Sequence, residues 1–507
     1  MKAFLMHPDQ DFAMSGDLPP NTGILSQDLE LDTLVQAMAS GDTFVYEMAQ
    51  RAVLLNVTEP ATILYRQRIL GDCLAQPATA RELYDLAVAS VEGERTAYFG
   101  WTLRDSPDTI LARSVAVLEF FTGQLKLLRT FAEEHMDSFD SEGFSQLFRM
   151  LVKELSDDYF GEVEGHLREL RFRGGTLISA QLSKGNKGIR YVLRRRREQS
   201  WRERLSRGRS GYSFTIADRD DSGHQALSEL HGKGVNLVAN ALAQSTDHVL
   251  SFFRMLRSEL AFYIGCLNLH NRLTGKNEPT CFPVPLAGKH PELTAAGLYD
   301  PSLTLHIESR AVGNDLAADG KALVMITGAN QGGKSTFLRS VGLAQLMTQC
   351  GMFAPAQALR ISVCNGVFTH YKREEDAAMR SGKLDEELAR MSDIVDQVSP
   401  GCVVLCNESF ASTNEREGAQ IAREVVRAFL DRGIRVFFVT HLFDLAHRFH
   451  AEARPDALFL RAERRPGGER TFRIAEGEPR PTSYGADLYR DIFGTALGGA
   501  AGEERPP

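Results

Sequence analysis

Gly328, Gly332, Gly333, Lys334 and Ser335 fall at a spacing that suits phosphate chemistry. Glycines let the backbone turn tightly and bring its N–H groups onto phosphate oxygens, where a side chain would collide. A lysine after them supplies a point charge for β and γ phosphates, and the next hydroxyl is placed to ligate a magnesium ion. The run Gly328-Ala329-Asn330-Gln331-Gly332-Gly333-Lys334-Ser335-Thr336 contains all of these in order. Ahead of it, Leu323 to Ile326 is an apolar stretch that predicts a buried strand. Behind it, a helix from Thr336 onward would aim its positive N-terminal end at the same anion. A strand-to-helix turn can need glycines for its own sake, but it has no use for this lysine and hydroxyl. The expectation is a triphosphate site for ATP with Mg2+.

Such a loop needs a neighbouring strand that ends in a carboxylate. Cys402 to Cys406 is a continuous apolar run after Ser399-Pro400-Gly401, the pattern of a central parallel strand, and it leads into Asn407-Glu408. Glu408 is the expected general base, orienting or deprotonating the attacking water. Asn407 stands where an aspartate would ordinarily hold the metal and offers a neutral oxygen only. Weakened magnesium affinity or slow turnover is the expected consequence. A further strand, Ile434 to Val439, apolar except for Arg435, runs into Thr440-His441. A lone histidine is often structural, but one at the end of a parallel strand can reach a γ phosphate, and His441 is read as a phosphate sensor. The catalytic set is therefore Glu408, Lys334 and His441, and the metal ligands are Ser335 and Asn407.

At 507 residues the chain exceeds one hydrophobic core and predicts several domains. The composition is ordinary for a soluble protein, and the net charge of −8 argues against wholesale coating of nucleic acid. Seven scattered cysteines without CxxC spacing read as free thiols in a reducing cytoplasm. Neither a signal peptide nor a comfortable membrane span is expected, since Val249 to Leu269 is interrupted by Arg254, Arg257 and Glu259.

Residues 1–27 read as a loosely ordered lead-in and 28–172 as almost entirely helical, with core stripes such as Leu118, Phe121, Leu125, Leu128 and Phe144, Leu147, Leu151, Leu155. Between 173 and 220 the period changes. Thr176 to Leu182 and Ile189 to Leu193 read as a hairpin, and Tyr212 to Ala217 as a third strand. Helical periodicity returns over 221–273, a Pro- and Gly-bearing linker covers 274–292, and strand–helix alternation follows to 495 before a disordered tail, 496–507. From Lys184 to Arg209 there are eleven basic residues against Glu198 and Glu203. A charge run of this kind can be merely a solvated face. Its place on a hairpin with Tyr191 and Trp201 interleaved favours sequence-independent phosphate contact, with Lys184, Lys187, Arg190, Arg194, Arg195, Arg196, Arg197 and Arg202 as the nucleic-acid residues.

The loop TGANQGGKST, the strand into NESFASTNEREG, VTHLFDL and the late Ser483-Tyr484-Gly485 together resemble the ATPase domain of the MutS family of mismatch-repair proteins. The helical region, notably EPATILYRQRILGDCL, resembles that family's core and lever domains, and the basic hairpin stands where the family has its DNA-gripping clamp. The resemblance implies a multidomain protein with a mainly α-helical core and lever region, a small β clamp-like insertion and a C-terminal α/β ABC-type phosphate-loop ATPase domain. It implies a homodimer with each nucleotide sandwiched between subunits. Ser381, Gly382 and Lys383 would begin the loop that reaches the partner's ATP, and the segment containing Ser412, Thr413 and Asn414 would cross the interface.

Departures from the family pattern are equally specific. Lys383 is followed by Leu-Asp-Glu-Glu in place of small hydroxyl residues, and no aromatic accompanies Val312 to Asp315, where relatives bring a ring against adenine. The sequence starts near the core domain, so no counterpart of the Phe-X-Glu wedge module or the connector is expected, and wedge-type mismatch recognition is not. The leading expectation is a dimeric, nucleotide-gated DNA clamp with ATPase activity. The rival is a nucleotide-gated scaffold that recruits a protein partner with little hydrolysis and no DNA ligand.

Overall fold

The computed structural model describes residues 1–97, 106–173, 175–185, 187–195, 212–288, 290–373, 382–465 and 470–480. From the N-terminus come helices α1 (Thr22–Asp28), α2 (Leu31–Ala39), α3 (Thr43–Leu54), α4 (Pro60–Ala75), α5 (Pro77–Ala97), α6 (Pro107–His135), α7 (Glu142–Glu154) and α8 (Asp157–Leu170). A hairpin of β1 (Leu177–Leu182) and β2 (Gly188–Arg194) is followed by the long helix α9 (Asp221–Gly275). Then follow β3 (Val284–Leu286), β4 (Leu293–Leu298), α10 (Pro301–His306), β5 (Asn314–Ala317), β6 (Leu323–Thr327), α11 (Lys334–Gln349), β7 (Ala358–Ser362) and β8 (Val367–Tyr371). The last are α12 (Lys383–Gln397), β9 (Val403–Asn407), α13 (Glu415–Asp431), β10 (Arg435–Val439), α14 (Phe443–Ala451), β11 (Ala457–Arg464) and β12 (Arg470–Glu476). The protein is thus mixed helical and α/β, with several sheets.

Helix starts follow local chemistry. Asp42 accepts hydrogen bonds from the Phe44 and Val45 amides at the head of α3, Ser106 accepts from Thr109 N–H ahead of Pro107 in α6, and Asn414 accepts from Glu417 N–H at α13. Among the described residues no helix is long and apolar enough to cross a membrane. All seven cysteines are free thiols.

Two compact units divide the chain, one of Met1–Leu5 with Ala78–Leu260, the other of Met6–Pro77 with Ala261–Pro507. In the first, α6, α8 and the early turns of α9 close over Leu111, Val115, Leu167, Val235 and Ala239, and Leu193 of the hairpin packs on that cluster. The stripe Phe144, Leu147, Leu151 and Leu155 is buried as its spacing predicts. In the second unit a six-stranded sheet runs in the order β12-β11-β6-β10-β9-β8. Its strands are parallel except β12, which pairs antiparallel with β11. A four-stranded sheet of order β3-β7-β4-β5 accompanies it.

Four sequence expectations change. The first 27 residues are not a loose lead-in. Ala3, Leu5, Met6 and Phe12 are buried, the Leu5 amide donates to Glu259, and the Asn21 side chain donates to the Val367 carbonyl, 2.7 Å, on the edge of the large sheet. Residues 6–77 belong with the α/β unit because Leu29 seats over Gly342 and Arg66 donates to the carbonyls of Met6 and Cys350 at 2.7 and 3.2 Å. A methyl group at Gly342 would come 2.7–2.8 Å from the side-chain ends of Leu405 and Leu29, so glycine there lets both leucines close on helix α11. The presumed linker 274–292 contributes β3, paired parallel to β7, and Cys281 bridges to Ala354. Tyr212 to Ala217 forms no strand: it has no pairing partner among the described residues, and Tyr212 and Phe214 are fully exposed.

Candidate functional site

Strand β6 is buried along its whole length between β10 and β11, and the chain leaves its C-terminal end through the glycine loop. Gly328 and Gly333 adopt φ of +118° and +88°, which side-chain-bearing residues rarely tolerate. At Gly332 a Cβ would lie 2.8 Å from Ala462 Cβ and 3.0 Å from the Ala329 carbonyl. These glycines therefore bring the loop against β11 and leave its concave side bare. Helix α11 begins at once, and Gly333 provides no side-chain cap, so its first amides stay open to an anion.

Lys334 is buried and donates to the Gly328 and Ala329 carbonyls, both at 2.9 Å. Burial pulls its pKa below the ordinary lysine value, with Glu408 opposing. Ser335 donates to Asn407 Oδ1 at 2.9 Å, so the two residues expected to bind metal meet between the start of α11 and the end of β9. Glu408 and Phe410 both occupy the left-handed region, φ 54° and 62°, and the Glu408 amide donates to the Val439 carbonyl at 2.8 Å. Backbone strain of this kind costs about 1 kcal/mol or more per residue and concentrates at functional sites. His441 Nδ1 lies 3.7 Å from Glu408 Oε1. That histidine is the main reason the Glu408 carboxyl sits below the usual range, against burial and with help from Lys334 and Lys372.

Lys334, Ser335, Asn407, Glu408 and His441, scattered over more than a hundred positions, thus converge at the C-terminal ends of three adjacent parallel strands. Ala329, Asn330, Gln331 and Thr336 lie in the same loop and first helical turn. A cleft of about 580 Å3 opens beside them, a size that suits a nucleotide. Lys334, Ser335, Thr336 and Glu408 line it together with an apolar wall of Leu303, Ile307, Val312 and Phe472, the last lying against the loop, 3.3–3.5 Å from where a Cβ at Gly333 would stand. Phe472 adds an aromatic ring to the lining that also includes Val312. It comes from β12, 160 residues later, and is held there because the Ile474 amide donates to Asn314 at 2.7 Å. No local sequence signal marks it. Arg470 on the same strand donates to Gln331 of the loop at 2.5 Å.

Gly382 and Lys383 sit at the start of α12, and Ser412, Thr413 and Asn414 precede α13, where Thr413 and Asn414 engage Glu417 at 2.5 and 3.1 Å. Ser381, Arg196, Arg197, Arg202, Trp201 and the Ser483 to Gly485 motif lie outside the described residues. On the hairpin, Lys184, Lys187, Arg190, Arg194 and Arg195 are all exposed, but Arg195 pairs with Glu169 at 2.5 Å and Arg194 donates to Ser179 at 2.9 Å. The hairpin root is tied to the helices: Thr176 Oγ1 meets His231 Nε2, and His231 Nδ1 meets Asp108, both at 2.5 Å.

Comparison with known proteins gives two family matches, the MutS2 N-terminal domain over residues 58–276 and MutS domain V over 324–489. MutS protein homolog 4 of Mus musculus is 26% identical over 272 residues, covering 51% of this chain and 26% of that protein. The DNA mismatch repair protein MutS of Chloroflexus aurantiacus is 32% identical over 218 residues, 39% of this chain and 22% of the relative. The Thermotoga maritima protein of the same name is 36% identical over 135 residues, 26% of this chain and 17% of the relative. The chain belongs to the MutS family. It matches about a quarter or less of the length of these curated relatives.

Proposed function

We propose that this protein is an ATPase acting as a dimeric, nucleotide-gated clamp on DNA, in repair or a related DNA transaction of the cytoplasm. The observation that carries the reading is the meeting of Lys334, Ser335, Asn407, Glu408 and His441 at one sheet edge beside a nucleotide-sized cleft. The apolar wall with Phe472 takes the base, and the loop amides and the Lys334 ammonium take the phosphates. Ser335 and Asn407 are oxygen donors, the kind magnesium prefers, and they stand beside a cradle that a Cβ would fill. They would hold Mg2+, whose chemistry is to neutralise phosphate charge. Glu408 orients the attacking water and accepts its proton, and His441 steadies the Glu408 carboxylate and senses the γ phosphate. Ser381, Gly382, Lys383 and the Ser412 to Asn414 segment face the second subunit in this reading.

The decisive experiment is ATP turnover with and without duplex, branched and mismatched DNA, alongside Glu408→Ala. DNA-stimulated turnover that disappears in the variant is expected. Nucleotide-dependent dimerisation without DNA stimulation would favour the scaffold reading, for which Asn407 speaks, because a neutral amide binds magnesium less well than a carboxylate. Asn407→Asp is accordingly expected to lower the magnesium concentration for half-maximal turnover. An unchanged magnesium titration would remove Asn407 as the cause of any slow rate.

On the hairpin, alanine at Lys184, Lys187, Arg190 and Arg194 is expected to flatten the dependence of log K on log salt by about 0.9 for each phosphate no longer neutralised, about 3.6 if each contacts one. A slope equal to that of the parent protein would eliminate the hairpin as the DNA-binding element.

A further inference from the structure

Glu408 points into the cleft from a loop whose other side is buried, and what holds that side is a histidine outside every motif described above. His370 lies on β8, opposite Cys406 in the register with β9, and is fully buried. Its Nδ1 is 2.7 Å from Ser409 Oγ and its Nε2 is 3.0 Å from the main-chain oxygen of Glu387 in α12. The Ser409 hydroxyl is also 2.8 Å from the His370 carbonyl. The imidazole stacks on Phe410, with ring centres 5.5 Å apart and planes 26° apart. One side chain thus touches both residues that follow Glu408 and the helix that carries Gly382 and Lys383 at its start.

The donor count assigns the protons. The Glu387 carbonyl can only accept, so Nε2 carries hydrogen and, in the neutral ring, Nδ1 is the acceptor. Nδ1 and the His370 carbonyl are then both acceptors facing the single Ser409 hydroxyl proton, which distances of 2.7 and 2.8 Å let them share. Burial first, then Arg390, lowers the His370 pKa to about 4, so the ring keeps this polarity at neutral pH. Glu408 and Phe410 are both left-handed non-glycine residues, a conformation that persists only where surrounding contacts impose it. From the opposite direction Gly418 crowds the same loop, where a Cβ would come 2.3 Å from the Phe410 carbonyl.

We infer that His370 is a positioning residue for hydrolysis, holding the Glu408-Ser409-Phe410 turn in its reactive geometry through Ser409 and coupling that turn to helix α12. The inference rests on the proposed role of Glu408. Its signature is a separation of rate from binding, because His370 touches neither the glycine loop nor the wall around Phe472.

The test compares kcat, KM for ATP and equilibrium ATP binding in the full chain for Ser409→Ala, His370→Gln and the double variant. Glutamine can keep a donor near the Nε2 position while losing the acceptor at Nδ1. Each single variant is expected to lower kcat between about 10- and 100-fold, the scale set by a small misplacement of a reacting group. ATP affinity should stay within about twofold of the parent, and the double variant should be no slower than the worse single, as for parts of one device. Should His370→Gln fail to fold, Ser409→Ala, a deletion of one oxygen, decides alone. A kcat for Ser409→Ala equal to the parent's, or rate losses that multiply in the double variant, would overturn the positioning role while leaving Glu408 intact. A parent protein without ATP turnover, or turnover that survives Glu408→Gln, would overturn the ATPase reading instead, and the inference with it.

Discussion

Glu408→Gln is expected to reduce ATP turnover by roughly 100-fold or more while leaving nucleotide affinity within a few-fold of the parent. The substitution keeps the shape of the side chain and removes only its ability to take a proton, and positioned general bases contribute about 10²- to 10⁴-fold to rate. Nucleotide should then be bound and not turned over, so an association state driven by ATP should persist in the variant, visible by size-exclusion chromatography or light scattering. The pH profile gives a second handle. His441 is the largest influence holding the Glu408 carboxyl below its ordinary value, so the base form survives into more acidic solution than a free glutamate would allow. Removing His441 raises the Glu408 pKa, and the acid limb of kcat in His441→Ala should move to higher pH. An acid limb at the parent's position would mean that His441 does not tune Glu408. Turnover undiminished in Glu408→Gln would leave the base assignment without support.

The second large effect is expected at Lys334. Methionine there keeps the buried stem and deletes the charge, and breaking a buried charge pair costs about 3 kcal/mol, equivalent to roughly 100-fold in affinity. Without ligand, the ammonium is bonded to the Gly328 and Ala329 carbonyls and is less basic than usual because it is buried. A triphosphate therefore meets a desolvated cation, whose attraction is strong because little water screens it. Titration with a fluorescent ATP analogue should show the weakening directly. Equal affinity in Lys334→Met and parent would place the nucleotide elsewhere. Under the proposed roles, Lys334 in binding and Glu408 in rate, the two variants should fail in different measurements.

The family relationship and the chemistry converge on the same half of the chain. MutS domain V matches from 324 onward, and that region contains the glycine loop, the Asn407-Glu408 strand end and His441. The N-terminal match, to the MutS2 N-terminal domain, spans helices of both compact units together with the hairpin. Glu59 to Leu74, whose sequence resembles the family core, supplies α4, which helps to hold the N-terminal segment through Arg66.

By itself the sequence determined what depends on neighbours along the chain. The loop from Gly328 to Ser335 was legible because φ above zero and close backbone approach demand glycine at stated positions. The buried strands at 323–327, 403–407 and 435–439 were legible because a strand covered on both faces is apolar along nearly all its length, here except Arg435 and the terminal Thr327 and Asn407. The hairpin was visible from its change of period. Tertiary structure decided what depends on distant partners. Phe472 reaches the cleft because β12 pairs with β11 and is tied to Asn314 of β5, and His370 gains meaning only when β8 is laid beside β9. The N-terminal residues looked loose because their partners, Glu259 and Val367, lie hundreds of positions away. Tyr212 to Ala217 carries strand-forming residues yet has no pairing partner among the described residues, and a strand exists only where another offers its hydrogen bonds. Local stereochemistry is written residue by residue, whereas a contact between remote segments depends on the packing of everything between them.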